Sequence, residues 1–216
     1  ESETQVPEGY TGIYDVADLY AVNNDLTGKY ILMNDIDLTK ETADGGDYNY
    51  LTNGWDPIGS GGIYGSNIFD GVFDGNKHSI TGMNICVSKK TSGVENTIYL
   101  GLFSKIGPNG VVKNLTLKKI SIQSKVCIRP GARLDGTDYI GAIAAYNEGS
   151  ITECSVEGNI QNKYEENVQY SLPAHQHYDM HKYIIAGGVT GYNEGVVNNC
   201  RNDASVSSII QVSGAY

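Results

Sequence analysis

The sequence predicts an all-β fold: a right-handed parallel β-helix (β-solenoid) with a short N-terminal capping helix and long loop insertions. Three observations predict it. Four segments, opening at Gly71, Gly101, Gly141 and Gly187, share one pattern of spacing. The 216 residues include 27 Gly and 16 Tyr, a composition of short strands and tight turns. Long amphipathic helices are missing between the strand-like runs, which sets aside a helical bundle or a large α/β enzyme.

Each segment places a bulky residue two positions after its leading glycine: Phe73, Phe103, Ile143 and Val189. Turns rich in Gly and Asn follow, at Asp74-Gly75-Asn76, Gly107 to Gly110, Asn147-Glu148-Gly149 and Asn193-Glu194-Gly195. Three residues then recur at steps of three and two: Ile80, Met83, Ile85; Val112, Leu115, Leu117; Ile151, Cys154, Val156; Val197, Cys200, Asn202. A step of two keeps side chains on one face of a strand. A step of three needs a corner residue, so that the chain bends and the next side chain still points inward. One coil cannot bury its own apolar face, so coils stack at about 4.8 Å and equivalent residues form columns. On this reading Phe73, Phe103, Ile143 and Val189 stand in one file inside a dry interior. An antiparallel sandwich uses the same residue types, but its alternating strands would not hold equivalent residues at fixed offsets.

In chain order, residues 1–27 read as an extended lead and a capping helix, and residues 28–216 as the solenoid. Asp15 to Val22 suit a two-turn helix, with Asp15 as N-cap and Asp18 in its acidic first turn. Such a helix covers an otherwise open solenoid end. Tyr30, Leu32, Ile36 and Leu38 enter the core, residues 40–54 form a polar loop, and Trp55 and Ile58 bring the chain back. The leading glycines then lie 30, 40 and 46 residues apart. The surplus falls at 88–98, 124–138 and 162–184, where stacked loops would form a wall along one edge. Tyr99-Leu100-Gly101 and Tyr139-Ile140-Gly141 open coils, and Tyr216 stands where the next would open. This predicts further coils or domains in the natural protein.

The segments Trp55 to Gly59, Phe69 to Ile85, Leu100 to Leu117, Ile140 to Val156 and Ala186 to Asn202, with the Gly28 to Thr39 strand that follows Asp18-Leu19, resemble the GLUG-repeat proteins. The resemblance spans most of the chain from Tyr14 to Val206. It implies a β-helical region of a bacterial surface or secreted protein, of the kind that accompanies adhesin-like and IgA-peptidase-like regions. Because the repeats are structural, it implies no catalytic residue.

A formal net charge of −10 argues against a nucleic-acid partner or an anionic membrane surface. No apolar run has the length of a membrane-spanning helix. Cys86, Cys127, Cys154 and Cys200 lie far apart, without the spacing of a zinc or thioredoxin motif. Cys154 and Cys200 hold equivalent positions in successive coils. A reduced core ladder is favoured there over a disulfide, because in-register side chains point the same way.

The longest insertion holds the sharpest local cluster, His175, His177 and His181, a set able to take zinc, nickel or copper through imidazole. Its plain alternative is an exposed polar loop. Tyr164, Tyr170, Tyr178 and Tyr183 flank the cluster and offer flat area with polar tips to a sugar or protein, or else pack the insertion against the solenoid. Arg129 and Arg133, in the second insertion, could meet acidic sugars or carboxylates, or be incidental charges. No cofactor is called for. Motifs of the G-x-S-x-G, H-E-x-x-H and P-loop kinds are absent from the sequence. The expected function is a non-catalytic extracellular segment acting as adhesin, stalk or recognition module for a host protein or glycan. The alternative is an accessory substrate-recognition domain of a secreted protease or glycan-active enzyme.

Overall fold

The structure is a computed structural model, and it describes residues 2–60, 67–91, 97–128, 135–168 and 181–214. It is nearly all β. The chain opens with β1 (Thr11–Ile13), the helix α1 (Val16–Ala21) and a 3₁₀ turn at Val22–Asn24. The Asp15 carboxylate accepts from the Asp18 amide at 2.9 Å, and the Asp18 carboxylate accepts from the Tyr14 amide at 3.0 Å. The first bond satisfies an amide that the opening helical turn leaves without a partner, and the second ties the residue before the cap to that turn. Leu19 and Val22 are buried, so this expected helix does cover core.

The strands follow as β2 (Lys29–Leu32), β3 (Ile36–Asp37), β4 (Ile68–Phe69), β5 (Val72–Asp74), β6 (Ser79–Thr81) and β7 (Asn84–Thr91). The next group is β8 (Ile98–Leu100), β9 (Phe103–Ile106), β10 (Val111–Lys113) and β11 (Thr116–Ile128). It is succeeded by β12 (Asp135–Gly141), β13 (Ala144–Asn147), β14 (Ser150–Thr152) and β15 (Ser155–Val168). The last group is β16 (His181–Gly187), β17 (Thr190–Asn193), β18 (Val196–Asn198), β19 (Arg201–Asn202) and β20 (Ser205–Gly214). Every pairing between these strands is parallel; β2 and β3 pair with β5 and β6, and from β4 on each strand pairs with its counterpart in the next group. Sheet A runs β1-β2-β5-β10-β14-β18. Sheet B runs β19-β15-β11-β6-β3, with β20 on β15 and β7 on β11. Sheet C runs β17-β13-β9-β4 and sheet D runs β16-β12-β8. We call β4 to β7 and each later group a rung, with β2 and β3 a partial rung before them.

The register makes columns. Tyr30, Phe73, Val112, Ile151 and Val197 are successive partners in sheet A. Ile36, Ile80, Leu117, Val156 and Asn202 do the same in sheet B. All but the last member of each column are buried, whereas Val197 is 39% exposed. The step of three between Val112 and Leu115 contains Asn114 at φ 53°, and Glu153 and Asn199 repeat it at φ 53° and 51°. These left-handed residues turn the chain from sheet A into sheet B.

Two expectations are corrected. Phe73 and Phe103 do not share a file. Phe73 lies in sheet A opposite Val112, and Phe103 lies in sheet C opposite Ala144. They meet across the interior instead, ring centroids 5.4 Å apart and nearly perpendicular. The counterpart of Gly71 is thus Gly110, not Gly101, and Ile80 pairs with Leu117, not Val112. Ile143 is buried, and Val189 packs against the same core. The second correction concerns the insertions. Their flanks are strand rather than loop: β7 runs to Thr91, β11 to Ile128 and β15 to Val168, while β12 starts at Asp135 and β16 at His181. An extended segment beside an existing rung finds ladder partners for its amides and carbonyls. Residues 121–128 find them on both sides, in β7 and β15.

Candidate functional site

In sheet D the side chains alternate. Ile98, Leu100 and Ile140 enter the core, and Tyr99 and Tyr139 point outward on neighbouring strands, continued in register by Ile185. In sheet C the outward file is Lys105, Tyr146 and Tyr192. The leading glycines Gly101, Gly141 and Gly187 stand at the passage from one sheet to the other. A Cβ at Gly141 would lie 2.3 Å from the Ala144 carbonyl and 2.3 Å from the Gly191 amide, so only glycine fits. That tight corner brings the two outward files together.

The result is a half-buried aromatic face. Tyr99 and Tyr139 stack at 5.3 Å with ring planes 9° apart. Tyr139 sets its ring edge-on to Tyr146 at 5.4 Å and lies 6.0 Å from Tyr192, while Tyr146 and Tyr192 are 4.9 Å apart. The Lys105 ammonium sits 4.7 Å from the Tyr99 ring centre and 5.3 Å from that of Tyr146, a cation–π arrangement worth about 0.5–1 kcal/mol at an exposed site. At the other end the Tyr146 hydroxyl donates to one Glu194 oxygen at 2.8 Å and the Tyr192 hydroxyl to the other at 3.3 Å.

Those bonds hold both phenols neutral. The hydrogen bond to Glu194, then desolvation, raises the Tyr146 pKa far above its ordinary value. The Glu194 charge, then its hydrogen bond, raises that of Tyr192. Both phenols therefore stay protonated near neutral pH. What the face offers is flat apolar area edged by hydroxyls, one ammonium and one carboxylate, a set suited to holding a partner. Beneath it, the buried Asn147 amide donates to Asn193 at 2.7 Å and Asn193 to the Gly195 carbonyl at 3.0 Å, which braces the turns after Tyr146 and Tyr192.

Of the residues read from the sequence as candidates, Tyr183 lies on β16, 62% exposed. It pairs in register with Thr137 and so shares the outward side of sheet D with Tyr139. Tyr164 and His181 fall within β15 and β16. Arg129, Arg133, Tyr170, His175, His177 and Tyr178 lie outside the described residues. Among the described residues no group of three His, Cys, Asp or Glu side chains is placed to hold a metal, and no helix is long and apolar enough to cross a membrane. The cluster of Tyr99, Tyr139, Tyr146 and Tyr192 was not anticipated, although Tyr-x-Gly at the first two and Tyr-Asn-Glu-Gly at the others repeat in the sequence.

No family model matches the chain, and no solved structure matches it. Over 128 residues, 58% of the chain, it is 35% identical to the "Putative Gly-rich membrane protein" of Evansella cellulosilytica. Over 150 residues, 67% of the chain, it is 28% identical to "Halomucin" of Haloquadratum walsbyi. The aligned part spans 12% of the first relative and 1% of the second.

Proposed function

We propose that this chain is a non-catalytic recognition segment of a bacterial cell-surface protein. It winds as a closed, right-handed parallel β-helix of the GLUG-repeat kind and engages a host protein or glycan through the tyrosine face. The observation that carries the reading is the convergence of Tyr99, Tyr139, Tyr146 and Tyr192 with Lys105 and Glu194 on a braced outer corner. The uninterrupted parallel pairing supports the winding. The word "membrane" in one relative's name and the name "Halomucin" of the other support a surface location. The far greater length of both relatives supports a longer protein of which this segment is one part.

The test is a binding screen of the chain against immobilised host proteins and glycans, run beside the double variant Tyr139→Ala/Tyr192→Ala. The reading expects at least one ligand and a loss of about tenfold or more in its affinity on removing the two rings, since each aromatic contact is worth about 1 kcal/mol. Binding unchanged in the double variant removes the face from the function. A screen empty of ligands removes the recognition role.

A further inference from the structure

The corner between sheets A and B carries another column. Leu115, Cys154 and Cys200 each follow a left-handed residue, Asn114, Glu153 and Asn199, in three successive rungs. Cys154 is buried, Cys200 is half-buried against the core, and both thiols are free. The Cys154 Sγ lies 3.2 Å from the Thr152 carbonyl and 3.9 Å from that of Val112. The Cys200 Sγ repeats the placement, 3.3 Å from the Asn198 carbonyl and 3.5 Å from that of Ile151. Register holds on both sides, with Ile151 opposite Val197 and Ser155 opposite Arg201, and the Arg201 amide donates to the Cys154 carbonyl at 2.8 Å. The two cysteines are therefore ladder neighbours at about 4.8 Å, within the Cα separation of about 4.4–6.8 Å that a disulfide spans.

We propose that Cys154 and Cys200 are a modification site, closing to a disulfide when the protein meets a low-molecular-weight disulfide. Cys200, the more accessible, attacks as thiolate. Its Sγ bonds to one sulfur of the reagent RSSR, the reagent's S–S bond breaks, and RS⁻ leaves. Cys154 then gives up its proton and attacks the Cys200 Sγ, and the second RS⁻ leaves. Two protein thiols lose two electrons, RSSR gains them, and the two cysteine protons end on the two departing thiolates. Rotation about the Cys200 Cα–Cβ bond, open to a half-buried side chain, turns its sulfur toward Cys154.

Burial, opposed in part by a backbone hydrogen bond and reinforced by the nearby Cys200 thiol, pushes the Cys154 thiol up to about 12. The second attack therefore quickens as pH rises. The bond would fasten the well-buried rung of β12 to β15 to the last rung, whose Val196, Val197, Val206 and Ile209 are exposed.

The test is incubation of the full chain with oxidised glutathione, followed by non-reducing peptide mapping. Cys86, exposed, and Cys127 serve as internal competitors. The expected result is a Cys154–Cys200 peptide as the main cross-link, formed faster toward alkaline pH and reversed by dithiothreitol. The oxidised chain should melt higher than the reduced one, and Cys200→Ser should abolish both the peptide and the shift. A mixed disulfide that persists on Cys200 overturns the proposal. So does a Cys154–Cys200 link no more abundant than pairs involving Cys86 or Cys127.

Discussion

Replacing Gly141 by alanine tests the packing of the rungs where it is tightest. The new methyl would lie 2.3 Å from both the Ala144 oxygen and the Gly191 nitrogen, while ordinary contact begins at 3.4 Å. Both obstacles are backbone, so no side chain can swing away. Relief needs about 1 Å of movement, within the corner for the Ala144 oxygen and between adjacent rungs for the Gly191 nitrogen, judged against normal contact distances. The bonds that resist are Ile143 N–H to the Val189 carbonyl at 2.9 Å and Ala142 N–H to the Gly188 carbonyl at 3.3 Å. Losing two such bonds costs about 2 kcal/mol, and overpacking adds about 1–3 kcal/mol. The expected loss is about 4 kcal/mol, or a melting temperature lower by about 10 °C for a chain of this size. Gly45→Ala is the control. Gly45 has φ +83° with nothing within 4 Å of its missing Cβ, so only conformational strain of about 1 kcal/mol applies. Thermal unfolding followed by far-ultraviolet circular dichroism reads both variants. If Gly141→Ala melts no lower than Gly45→Ala, the rungs are not in contact at that corner, and the convergence of the two tyrosine files loses its cause.

Two further outcomes are expected. Glu194→Gln should move Tyr146 and Tyr192 back toward the ordinary phenol range near about 10, read as tyrosinate absorbance against pH. In the native protein the folded phenols still hold protons at a pH where the unfolded ones have released theirs, so stability falls as pH rises above about 10, and the variant should flatten that fall. Glu153→Asn should stabilise the chain by about 0.5–1 kcal/mol in urea unfolding, because Glu153 occupies at φ 53° a left-handed corner that asparagine fills at 114 and 199. A neutral or destabilising result would mean that the corner does not carry that strain.

The three rungs from Gly101 onward were readable because their corners repeat the same chemistry. Val112 to Leu115, Ile151 to Cys154 and Val197 to Cys200 each enclose one left-handed residue. The rung before them was misphased because its corner differs: both Asn76 and Lys77 have positive φ, at 50° and 64°. Matching Gly71 to Gly101 on the phenylalanine two places later therefore slid the alignment by one strand. The flanks of the insertions read as loops because polar segments such as Gln161 to Asn167 carry little of the apolar signature of a strand. Their partners in β11 and β20 are what make them strands. The tyrosine face was hidden for another reason. Its halves come from different sheets, Tyr99 and Tyr139 before a glycine corner and Tyr146 and Tyr192 after it. Their proximity belongs to the angle between sheets, which no spacing within one strand records.

The parallel ladder also decides how such a segment bears load. Hydrogen bonds between rungs point from one rung to the next, along the line joining the α1 end to the β20 end. Traction along that line meets each layer of bonds end-on, so layers give way one at a time rather than shearing together. A stack built this way yields stepwise under a sharp tug, releasing chain while the remaining layers keep their grip.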